Sequence, residues 1–233
     1  MLNRQYPASV ASFDVRRAIV AELRDRLRDV PASPLDWQNF DPAAVRAPTP
    51  DLRLANLGRL LCSAPARTAE LRTLWKESVM TAAFALALGP RLGGDAATSG
   101  LAALLHRLGD MLTLRAIGEI EYASHLRLDA AGKAELCATH GTEQLERVVR
   151  AWNVPARAAA TAAEWRRLRE FPAAAADAAA VYLARLLAIE LLSPAFCAPG
   201  MVELAAEELG LEPASLSALR ADATIAGVLT SLQ

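Results

Sequence analysis

Apolar residues recur at helical spacing through most of the chain. Val15, Ile19, Leu23, Leu27 and Val30 follow one another at steps of four, four, four and three, which puts them on one stripe of a helix. Arg16, Arg17, Glu22, Arg24, Asp25, Arg26, Arg28 and Asp29 fill the other faces. Ser12 and Asp14 offer a start and Pro31 and Pro34 a stop, so the pattern predicts a helix over 12–30, after a polar and loose stretch over 1–12. Its single narrow stripe suits packing on a bundle or pairing with a partner. Between Pro31 and Pro50 the stripe disappears. Five prolines mark a linker; Trp37 and Phe40 within it read as pins to a domain surface, or alternatively as a partner-binding segment.

After Pro50 the pattern is helix after helix. Leucines at 54, 57, 60 and 61 predict a helix over 52–62, and Leu71, Leu74, Trp75, Val79 and Leu86 one over 69–88. A turn at 90–94 leads to a helix over 96–108 that Gly109 breaks or kinks, then a short one over 111–119. A longer segment over 130–151 has a candidate break at Gly141. Helices over 155–169, 173–192, 201–209, 213–220 and 223–232 complete the chain. The segment 173–192 is nearly apolar throughout, which marks it as central, and Gly210 is placed to cap the helix before it.

Composition sharpens this to an all-α fold. The 233 residues include 51 Ala and 37 Leu, strong helix formers, while residues that favour strands are sparse. Hydrophobic residues make up 53% and the net charge is −1, which argues against disorder. With 25 basic and 26 acidic residues, nothing in the global charge draws the chain to nucleic acid or an anionic membrane. The most apolar stretch is interrupted by Arg185 and Glu190 and reads as a buried helix rather than a membrane span. Cys62, Cys137 and Cys197 form no metal or disulfide framework, and no signal peptide opens the chain. Reduced thiols in a cytoplasm are the expectation. No glycine-rich phosphate loop, nucleophile elbow or zinc-protease motif is present.

Chemistry is confined to few residues. The histidines are His106, His125 and His140, too few for the usual ligand set of a helical metallohydrolase. On their own terms, His106 reads as a hydrogen-bonded core or cleft residue, His140 as a packing or capping residue and His125 as exposed. Trp75 and Trp152 read as core anchors.

Order and spacing carry a resemblance. Leu74-Trp75-Lys76-Glu77-Ser78 is followed by Gly100-Leu101 and Ala103-Leu104-Leu105-His106-Arg107-Leu108-Gly109. Then come Glu135, His140, Trp152 and Val154-Pro155, Glu164-Trp165, and Ala176-Asp177 inside the apolar helix. Over roughly 52–225 this resembles the HDOD family, regulatory relatives of HD-type phosphohydrolases. The resemblance implies a multi-helix HD-like bundle, here residues 51–233, preceded by the N-terminal helix and proline-rich linker of residues 1–50. The stretch before Glu77 is shorter than the family usually has. The resemblance also implies a bacterial, cytoplasmic signalling role.

The departures from the pattern are chemical. Glu77 stands where active relatives have a first ligand histidine, Arg107 stands where they have an aspartate, and Glu164-Trp165 replace a His-His pair. A guanidinium cannot ligate a metal, so the expectation is a vestigial cleft formed by Glu77, His106, Arg107, Asp110 and His140, with no catalytic residues, metal or cofactor. A Glu77–Arg107 salt bridge would plug that cleft. Implied partners are signalling proteins, a second copy or a small anionic ligand, with Arg147, Arg150, Arg166, Arg167 and Arg169 as an anion or partner patch that Arg157 extends. The ordinary alternative for the patch is a solvated helix face. Two other readings remain open: a phosphohydrolase with a non-standard site built from Glu77, His106, Asp110 and His140, and nucleic-acid binding through the arginine-rich helix.

Overall fold

A computed structural model describes residues 8–47, 51–165 and 175–232. Among them there is no strand. The helices are α1 (Ala8–Arg26), α2 (Leu52–Leu61), α3 (Thr68–Arg91), α4 (Ala96–Leu105), α5 (Leu108–Ser124), α6 (Ala130–Ala151), α7 (Ala156–Glu164), α8 (Ala176–Leu192), α9 (Met201–Glu208), α10 (Pro213–Arg220) and α11 (Ala223–Ser231), with 3-10 turns at Pro42–Arg46 and Pro194–Phe196. Aspartate starts several of them. The carboxylates of Asp51, Asp95, Asp129 and Asp222 accept the N–H groups of Arg53, Thr98, Gly132 and Thr224 at 2.7 to 2.8 Å, satisfying donors that a helix start leaves open.

α3 is the axis of the bundle, with α4 and α8 packed along it. Its buried face is mostly small: Ser78, Thr81, Ala82, Ala83 and Ala85 sit between Val79, Met80, Phe84 and Leu88. α8 answers with Ala178, Ala179, Ala180, Ala184 and Ala188. The alanine excess is thus what lets helix axes approach closely at the centre.

The linker belongs to this same core. Trp37, at 1% exposure, stacks on Trp152 with ring centroids 5.6 Å apart and planes 8° from parallel. Its indole N–H donates to Ser33 Oγ at 2.6 Å, and the Trp152 indole N–H donates to the carbonyl of Pro31 at 2.7 Å. Phe40 packs edge-on to Trp37. α1 rests on a second, smaller cluster in which Ile19, Leu23 and Leu27 meet Ala116, Ile117 and Ile120 of α5 and Leu128 and Leu136.

Several sequence expectations move. α1 begins at Ala8 and ends at Arg26, earlier at both ends than its predicted span. The helix over 69–88 runs on through Pro90 to Arg91, giving up the one bond that a residue 90 N–H would donate to the Leu86 carbonyl while Leu92 N–H still donates to the Leu88 carbonyl at 3.0 Å. The break expected at Gly109 falls at His106 and Arg107, and α5 is a full helix that contains Gly109. Gly141 does not interrupt α6. These two glycines serve a crossing instead: a Cβ on Gly109 would collide with the carbonyl of Gly141, and one on Gly141 would meet the Asp110 carboxylate. Gly210, at φ +71°, closes α9 as expected.

Gly109→Ala should therefore lower the unfolding free energy by about 1–3 kcal/mol in denaturant titration, as an overpacked crossing does. Gly227→Ala, in an α11 position with open space around it, should be neutral or stabilising by up to about 1 kcal/mol. Equal effects at the two sites would contradict the crossing.

Candidate functional site

Four elements converge on one polar cluster in the bundle. Glu77 comes from the middle of α3, His106 from the end of α4, Trp165 from the end of α7 and Arg185 from α8. The Arg185 Nε–H donates to Glu77 Oε1 at 2.8 Å, and its guanidinium lies 5.0 Å from the centre of the Trp165 ring, a cation–π distance. Trp165 also meets the His106 ring edge to face at 5.0 Å, and its indole N–H donates to the carbonyl of His106 at 3.4 Å.

His106 is fully enclosed. Its Nδ1 lies 2.5 Å from the carbonyl of Ala103. A carbonyl only accepts, which puts the ring proton on Nδ1 and leaves Nε2 as a lone pair. That lone pair has no hydrogen-bond partner and faces Glu77 Oε1 at 3.7 Å. Burial, aided by Arg107, holds the imidazole below its ordinary pKa despite Glu77, so at neutral pH the Glu77–His106 contact is not an ion pair. Burial also pushes the Glu77 carboxyl upward, but the Arg185 and Arg107 guanidiniums outweigh it and hold the group below its ordinary value. The ion pair at the centre is Glu77–Arg185.

The Glu77–Arg107 bridge is not formed. Arg107 caps the start of α5 and lies against Asp110, Nε to Oδ2 3.2 Å, three residues along, a local pairing that costs less chain reorganisation than reaching α3. Asp110 stands beside Gly141 and, with His106, Thr142, Leu145 and Ala162, lines a void of about 10 Å³, room for at most one water. His140 is not in this cluster. One residue before Gly141, it is rotated by about 100° around α6 and lines a groove against α1 instead. Of the five expected cleft residues, the structure thus gathers Glu77 and His106, sets Arg107 and Asp110 beside them, and sends His140 elsewhere.

Two charged residues of α8 did not figure in the expected site. Arg185 interrupts the most apolar helix, and a lone cation there demands a buried partner; that was the available signal. Asp177, 1% exposed, is a second hub: it accepts Asp95 N–H at 2.7 Å, Ser99 Oγ–H at 2.8 Å and Arg157 Nη2–H at 2.6 Å. Arg157 is therefore engaged with α8 rather than extending a patch. In the patch itself, Arg147 donates to the carbonyls of Leu27 and Arg28 at 3.0 and 3.2 Å and Arg150 is exposed. Arg166, Arg167 and Arg169 lie outside the described residues.

These contacts define a class: an all-helical bundle whose central polar cluster is closed and neutralised by its own side chains. The sequence profile of the HDOD domain matches residues 54–168, a span that includes Glu77, His106, Arg107, Asp110 and His140, and the chain carries an HDOD domain. No curated protein and no solved structure matches the chain. The metals of active HD relatives do not fit these residues. Glu77 and His106 are two donors beside two guanidiniums, and among the described residues no group of three or more His, Cys, Asp or Glu is placed to hold a metal.

Stability should depend on pH through this cluster. Groups whose folded pKa is depressed stabilise the fold above the unfolded pKa and lose that contribution as pH falls. Unfolding free energy should therefore decline below pH 6.5 through His106, and below 4.5 also through Glu77. Denaturant titrations from pH 7.5 to 5 should show this slope in the wild type and a flatter one in His106→Asn. Arg185→Met should cost about 3 kcal/mol by leaving Glu77 uncompensated, and adding Glu77→Gln should recover part of it; no recovery would deny the coupling.

Proposed function

We propose that this chain is a non-catalytic regulatory module of signal transduction that acts by binding, through another signalling protein or a second copy of itself. The observation that carries the reading is the Arg185 guanidinium on Glu77, 2.8 Å from Nε to Oε1. A cation held there by a carboxylate and an aromatic face takes the charge that a divalent metal would need, and repels the metal itself. The void between His106 and Asp110 supports the same reading, since about 10 Å³ leaves no room for a phosphate ester between the two side chains.

Binding modules of this kind work by differential affinity: a partner that prefers one packing of the helices shifts the population toward it. Two charged hubs, Glu77–Arg185 and Asp177–Arg157, both join α8 to other helices, so a shift of α8 would be felt across the bundle. No described helix is long and apolar enough to cross a membrane, and the chain's overall charge of −1 gives no general attraction for nucleic acid.

Purified protein should contain no stoichiometric Mn, Fe or Zn and should not hydrolyse bis(p-nitrophenyl) phosphate when Mn or Mg is added. Stoichiometric metal together with turnover that disappears in His106→Ala would overturn the proposal in favour of a metal-dependent phosphohydrolase.

A further inference from the structure

We infer that the groove between α1 and α6 is a binding site for a small phosphate-bearing anion. The groove has a volume of about 360 Å³ and is lined by Arg24, Leu27, Arg28, His140, Glu143, Gln144 and Arg147. Three guanidiniums and an imidazole face one carboxylate, in a chain whose charges sum to −1.

Two independent features make this more than a solvated face. The first is register. Arg24 and Arg28 fall four residues apart at the end of α1 and in the turn after it, and His140 and Arg147 fall seven apart on α6; each pair lies on one helical stripe, and both pairs border the same groove. The second is unspent charge. Among the described residues Arg24 and Arg147 have no carboxylate within ion-pair distance, and Arg28 has only a local contact with Asp25 at 3.1 Å. Arg147 is nonetheless held still. Its Nη1–H and Nη2–H donate to the carbonyls of Leu27 and Arg28, which end the α1 segment, while Gln144 Nε2–H donates to the same Leu27 carbonyl at 3.0 Å. Carbonyls orient a guanidinium without cancelling its charge, so the cation is preorganised, which lowers the cost of binding.

Planar guanidinium forks match phosphate oxygens in pairs. The volume suits a small molecule; a polymer would need a longer basic track than these stripes supply. The inference deepens the reading of the chain as a binding module and rests on it, but the groove does not share a residue with the Glu77 cluster.

Isothermal titration of the full chain with inorganic pyrophosphate, with ADP, with sulfate at matched ionic strength and with a short DNA duplex tests it. The expected result is saturable one-to-one binding of pyrophosphate and ADP that weakens with added salt and falls about tenfold or more in Arg24→Gln and in Arg147→Gln. Arg24→Gln leaves the Arg147 bonds to α1 in place and so separates binding from folding. Absence of saturable binding, equal binding of sulfate, tighter binding of the duplex, or unchanged affinity in the double variant Arg24→Gln, Arg28→Gln would each overturn the site. Release of phosphate from pyrophosphate would instead overturn the non-catalytic reading, whichever way the groove variants behave.

Discussion

A carboxylate placed in the middle of the central helix of a bundle has to be answered by a cation from somewhere, because a buried unpaired charge is among the most costly defects a fold can carry. Glu77 is that carboxylate. Arg185 reaches it from α8, Trp165 covers the guanidinium from α7, and His106 is closed in behind by its bond to Ala103. The packing of α3, α4, α7 and α8 therefore meets at one electrostatic requirement. In a relative that binds metal the same requirement runs the other way, with anionic and neutral ligands arranged around a cation that is not part of the chain. Here the cation is covalently part of it.

The same solution appears elsewhere in the molecule. Glu121, with a wholly buried side chain, receives Arg67 through Nε at 2.6 Å and also accepts the Leu128 N–H at 2.7 Å. Arg67 in turn shares Glu70 with Lys133, which links α3 to α5 and α6. Asp177 collects a backbone N–H, a hydroxyl and a guanidinium. Glu121 and Asp177 are each met by several donors rather than one, which holds the helices they join in register with one another. The fold is stabilised by small residues at close crossings and kept specific by these hubs.

The contrast between the two regions around α6 bears on function. Where Gly109 meets Gly141, α5 and α6 come so close that little more than a water fits between His106 and Asp110, although Arg107 and Asp110 also line a cavity of about 380 Å³ with Glu70, Lys133 and Cys137. On the other side, His140 and Arg147 face α1 across an open groove with positive charge left over. One helix thus separates a tight crossing from an accessible groove. Because α1 rests on its own small apolar cluster and is tied down by Gln144, Arg147 and the stacked Trp37–Trp152 pair, occupancy of that groove and the seating of α1 are physically connected.

Helical class, the stripe of α1, the burial of Trp37 and Trp152 and the family resemblance were legible from sequence, since each rests on local periodicity, on the burial that large aromatics prefer, or on residue type at fixed spacing. The partner of Glu77 was not: Arg185 is 108 residues away, and only the packing of α8 against α3 selects it over the nearer Arg107, which its own helix turns toward Asp110. Nor could spacing place His140, because neighbouring residues on a helix point to different faces, and which face meets the site depends on how closely Gly109 and Gly141 let two helices cross. Local pattern determined which elements form, while tertiary structure decided which charges meet, because that choice is made between segments far apart in the chain.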